Sequence, residues 1–166
     1  MKIIEPQYVW NGELTKRTQP IYRIILHHAA ASHCSAVQVH SWHKARGWVG
    51  IGYHFFITKD GDIYRGRPID CIGAHAGGYN LDSIGICFEG NFENEVMQNA
   101  QEEAGRELVK MLMRLISSSC NSSFHVAVVC SWLFATKLPL LITHLQVFSM
   151  PKESYIPHVS MIFSLL

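Results

Sequence analysis

At 166 residues the chain fits one domain, long enough to bury a sizeable core. A formal net charge of +1 gives no reason to expect nucleic acid or an anionic membrane surface as a partner. Five cysteines without a CxxC pair argue against both a zinc ribbon and a disulfide framework.

Residues 1–20 read as an irregular lead-in, with Asn11-Gly12 as a turn and Pro20 as punctuation. The first residues, Met1 to Pro6, lack the apolar run of a signal peptide, because Glu5 and Pro6 interrupt it. Ile21 to Leu26 is β-branched and apolar and predicts a buried strand that runs into His27 and His28. Ser35 is placed to cap a helix over 36–46 that Gly47 stops, with Ala36, Val39 and Trp42 on its packed face. Ile51 to Ile57 and Asp62 to Arg65, joined through Asp60-Gly61, predict a hairpin. A short strand at 70–72, a glycine-rich loop at 73–80 and a buried strand over Ser83 to Phe88 follow. Asn94 then caps a second helix with a stripe of Met97, Ala100, Ala104, Leu108, Met111 and Leu115. This order predicts a mixed α/β fold, a central mixed β-sheet flanked by helices.

Past residue 115 the composition changes. The only charged residues left are Lys137, Lys152 and Glu153, and the apolar runs among them are too short for a membrane helix, which needs about 20 residues.

The histidines carry the chemical signal. His27, His28, His33, His40, His43, His54 and His75 fall within one stretch, which raises the odds of a metal or acid–base site. His27 ends an apolar strand and can turn a ring nitrogen into a cleft, whereas His28 points to the opposite face. Tyr53 can support an oxyanion or an attacking water, or simply pack. His75 lies in the glycine-rich loop, and Trp48 and Tyr79 can stack on a sugar or pack.

Taken together, Ile24 to Ala30, Trp42 to Trp48, Ile51 to Phe55, Asp60 to Pro68, Gly73 to Asn80 and Ser83 to Ile86 resemble the type 2 N-acetylmuramoyl-L-alanine amidases. That zinc-dependent group is shared by phage lysozyme-amidases and peptidoglycan recognition proteins, and the likeness covers roughly residues 20–115. It implies a zinc cleft at one sheet edge and hydrolysis of the amide between N-acetylmuramic acid and L-alanine of the stem peptide. It further implies His27 as the first zinc ligand, Tyr53 as the catalytic tyrosine, and Trp48, His75 and Asn80 along the muramyl-peptide groove. The expected partner is bacterial peptidoglycan, met by a monomer at the cell wall, either extracellular by a non-classical route or held in the cytoplasm until lysis.

The likeness stops where the composition changes. The family's Gly-His-x-Asp and Cys-Pro-Gly segments, which carry its other two zinc ligands, have no counterpart; His125 and Cys130 lack the flanking residues. The domain reading is therefore an amidase-like unit over 1–116 and an atypical apolar tail over 117–166 that is not the family's own C-terminus. Three functions follow: a peptidoglycan amidase, a non-catalytic muramyl-peptide binder with an incomplete zinc site and, more remotely, a histidine-rich metal buffer.

Overall fold

The computed structural model describes residues 1–118 and 127–130. Expectations placed on His125 and on the tail beyond Cys130 lie outside the described residues. The elements are β1 (Ile3–Ile4), β2 (Arg23–His28), α1 (Ala36–Ala45), β3 (Phe55–Ile57), β4 (Ile63–Arg65), β5 (Ser83–Phe88), α2 (Asn99–Ser118) and β6 (Ala127–Cys130). They build one six-stranded sheet in the order β1-β4-β3-β5-β2-β6. Only the β3–β4 hairpin pairs antiparallel; the other neighbours are parallel, so the sheet is mixed as expected.

Alternation along the strands sorts side chains to the two faces. Ile24, Leu26, Phe55, Ile57, Ile84, Ile86 and Phe88 form one core with Leu108, Val109, Leu112 and Ile116 of α2. Phe56 and Cys87 turn the other way and pack with Cys34, Ala36, Val39 and Ile51 beneath α1. His28 goes with the α2 face, where its ring stacks on Phe92 and its Nδ1 accepts the Phe92 N–H at 3.1 Å. His27 is left on the α1 face.

Ser35 caps α1 as expected, its hydroxyl accepting the Gln38 N–H at 3.1 Å. The packed face differs: Ala36, Val39, His40 and His43 are buried, while Trp42 is 38% exposed. His40 and His43 point inward because their Nδ1 atoms accept the backbone N–H groups of Ile51 and Gly52. β3 itself begins only at Phe55, although the His54 N–H already donates to the Gly85 carbonyl of the neighbouring strand at 2.8 Å.

The helix expected from Asn94 starts at Asn99, because Asn91 closes a turn through its carbonyl to the Asn94 and Glu95 N–H groups. Its inner line is Gln101, Gly105, Leu108, Val109, Leu112 and Ile116, rotated from the expected stripe; Ala100 and Leu115 are exposed. Gln101 is drawn inward by donating its amide to the carbonyls of Ile57 and Glu89. In place of a strand at 70–72 there is one bridge between Lys16 and Cys71. The lead-in supplies β1, which pairs with β4. Among the described residues, no helix is long and apolar enough to cross a membrane.

Candidate active site

The register of β2 on β5 sets out the site. Ile25 lies opposite Gly85 and His27 opposite Cys87, so on the α1 face the His27 ring stands beside a strand position that has no side chain. The His75 ring fills that space. A Cβ added at Gly85 would come within 2.4 Å of it, and one at Gly73 within 2.5 Å, so the imidazole is slotted between two glycines. His27 Nε2 and His75 Nδ1 are 3.0 Å apart, and His75 Nε2 is 3.3 Å from Ser83 Oγ.

Tyr53 closes the group from the chain leading into β3. Its ring centroid lies 5.2 Å from that of His27, 5.5 Å from His43 and 6.3 Å from His75. The phenol and the imidazole therefore share one face of the sheet. Trp48, 39% exposed, tilts over His43 at 4.6 Å and extends the cluster outward. Asn80 acts on the loop: its Oδ1 accepts the N–H groups of His75 and Ala76 at 2.8 and 2.9 Å.

Burial dominates the electrostatics. It pushes His27 down to about 4, with His28 adding to the effect. It pushes His75 down to about 2, helped by the nearby His27 and His54. Burial also raises the Tyr53 phenol above its ordinary value, with Cys87 reinforcing it. At neutral pH the site thus holds two uncharged imidazoles and a protonated phenol.

Three residues support the cleft in ways the sequence did not disclose, His54 having stood there only as one of a cluster of histidines. His54 is fully buried, accepting the Gly85 N–H on Nδ1 at 3.0 Å and donating from Nε2 to the Cys71 carbonyl at 3.1 Å. Arg17, from the lead-in, donates to the carbonyls of Ile69, Leu81, Cys71 and Ser83. Arg67 donates to those of Ile51 and Ile72. Carbonyl partners leave no mark on a sequence, so only the Arg-Gly-Arg run around Arg67 offered any hint.

The family model of N-acetylmuramoyl-L-alanine amidase matches residues 17–132. The chain belongs to the N-acetylmuramoyl-L-alanine amidase family. It is 40% identical over 70 residues to the endolysin of Klebsiella phage KP32, covering 37% of this chain and 46% of that protein. It is 36% identical over 94 residues to peptidoglycan-recognition protein SC2 of Drosophila melanogaster, covering 51% of each. The chain thus spans about half the length of these curated relatives. The amidase LysC from Clostridium intestinale superposes with a TM-score of 0.71 at 34% identity, covering 83% of this chain and 87% of that one.

The amidase resemblance implies zinc. A catalytic zinc takes three protein ligands converging on one point. Among the described residues no three His, Cys, Asp or Glu side chains do so. The facing nitrogens of His27 and His75 bond to each other instead. The described residues do not by themselves make a zinc centre. The backbone of β6 does bring Cys130 opposite Leu26, next in sequence to His27.

Proposed function

We infer that this amidase-family chain acts on bacterial peptidoglycan, hydrolysing the amide between N-acetylmuramic acid and L-alanine of the stem peptide. The observation that carries the reading is the pairing of His27 and Tyr53, ring centroids 5.2 Å apart on one face of the sheet. Amide hydrolysis needs a group to take a proton from water and a donor for the oxyanion that develops on the carbonyl. The protonated Tyr53 phenol suits the second need, and a neutral His27 offers a lone pair to a zinc ion, which when bound would lower the pKa of a water and so meet the first. Trp48 and the loop carrying His75 and Asn80 would form the walls that hold the muramyl peptide. The zinc implied by the resemblance would need ligands besides His27 from residues outside the described set.

That shortage of described ligands favours a second reading, a muramyl-peptide binder without turnover. Purified protein incubated with cell-wall sacculi, with and without added zinc, separates the two. Release of new L-alanine amino termini supports hydrolysis, and co-sedimentation without release supports binding. Neither release nor co-sedimentation would overturn both. Under the first reading, Tyr53→Phe lowers amide cleavage by roughly 10²-fold while co-sedimentation is kept.

A further inference from the structure

One side chain of α1 bears on both Tyr53 and Trp48. His43 Nδ1 accepts the Gly52 N–H at 3.0 Å, and a backbone N–H can only donate, so the ring meets it with a lone pair. The Gly52 carbonyl in turn accepts the Ala74 N–H at 2.9 Å, from the loop that carries His75. Gly52 is thus held between α1 and that loop, and a Cβ there would run into the Ala74 carbonyl. Tyr53 follows directly, its ring centroid 5.5 Å from that of His43. The same imidazole lies 4.6 Å from the Trp48 ring, and the Trp48 N–H donates to the His43 carbonyl at 3.1 Å. His40, one turn earlier, makes the matching bond to Ile51, but its ring stacks on Tyr8 and its Nε2 meets the Val9 carbonyl, so it serves the lead-in.

We propose that His43 is a positioning residue for the cleft: it sets Tyr53 through Gly52 and Trp48 through its ring, and so fixes the gap between the Trp48 wall and the His75 loop. His43 and Gly52 are both buried, so water does not stand in for a lost acceptor. The bond needs an acceptor at the place of Nδ1 and not merely a polar side chain. The consequence for turnover rests on the amidase reading; the placement of the two rings does not, and the two fail separately.

The test compares three substitutions that all remove the imidazole. His43→Asn keeps an amide oxygen at the place of Nδ1, His43→Gln carries it one carbon farther out, and His43→Ala has none. Amide hydrogen exchange, without added metal, reads the Gly52 bond. Ring signals of carbon-13-labelled tyrosine, assigned through Tyr53→Phe, read the phenol. Gly52 exchange is expected to be slow in the wild-type chain and in His43→Asn, and about tenfold faster in the other two. His43→Asn should show one sharp set of Tyr53 ring signals, from which His43→Gln and His43→Ala depart. Fast Gly52 exchange in the wild-type chain overturns the proposal even if no variant folds. So do Tyr53 signals that coincide in all three folded variants. On sacculi, both amide variants should raise KM, because each leaves Trp48 without the ring beside it. There kcat should fall about tenfold further in His43→Gln than in His43→Asn, and equal values overturn the proposal. Sacculi left uncleaved by the wild-type chain would sink the hydrolase reading alone, with the placement judged by the exchange and ring signals.

Discussion

Arg17 does as much for the cleft as any residue within it. Its guanidinium spreads over the carbonyls of Ile69, Leu81, Cys71 and Ser83, which ties the start of the 69–83 loop to its end. The fixed fork of five N–H donors suits diverging acceptors, whereas a lysine brings three donors from one atom. Arg17→Met should therefore destabilise the protein by about 3 kcal/mol, since each carbonyl left without a partner away from water costs about 1–3 kcal/mol. Arg17→Lys should recover only part of the loss. Midpoints of guanidinium unfolding decide it, and a wild-type midpoint for Arg17→Met would mean that water replaces the side chain without cost. The sequence could not disclose this residue, because a lone arginine in an irregular lead-in resembles a solvated charge. The reverse holds for His40, His43 and His54. Their crowding around His27 suggested metal or acid–base chemistry, but each accepts a backbone N–H on Nδ1, a structural duty that needs a partner distant in space.

Among the elements, the hairpin and the β2 and β5 strands were legible because their signals are local. Asp60-Gly61 sits between apolar runs, and the buried strands carry uncharged, largely apolar runs at Ile24 to Leu26 and Ile84 to Phe88. The start of α2 was not legible: Asn94 has the right chemistry for a cap, but the Asn91 turn uses the same segment first. The tip of the hairpin touches that helix. Gly61 has φ +87°, and a Cβ there would lie 2.8 Å from the Ala100 carbonyl oxygen in the first turn of α2. Gly78 has a similar φ of +82° but open space around it. Ala at either position bears the left-handed backbone penalty of about 1–2 kcal/mol, and only Gly61 adds a collision with backbone. Gly61→Ala should therefore lose clearly more stability than Gly78→Ala in parallel denaturant titrations. Equal losses would show that the hairpin tip moves away from α2 at no cost.

Across the whole molecule the buried imidazoles act together on the pH dependence of stability. Burial lowers His27 and His43 to about 4, His54 to about 3 and His75 to about 2, each from an ordinary value of 6.5. Arg46 and Arg67 reinforce the shift at His43; Arg17 and Arg67 do so at His54 and His75. Between pH 6.5 and 4 the unfolded chain binds protons that the folded chain refuses, so stability must fall as pH falls through that window. Each imidazole contributes a slope approaching about 1.4 kcal/mol per pH unit there, and the stabilisation is fully present only above 6.5. The glycine-rich cleft and the α1 face hold these rings jointly, so acid should unfold the protein as a unit rather than release one loop. Thermal melts from pH 7.5 to 4 should show a steep fall in Tm. His43→Asn can present an amide oxygen to the Gly52 N–H without titrating, and should flatten that fall by about one proton's share. A Tm that stays level down to pH 4 would mean that these rings accept protons in place, so that burial does not hold them below their ordinary value.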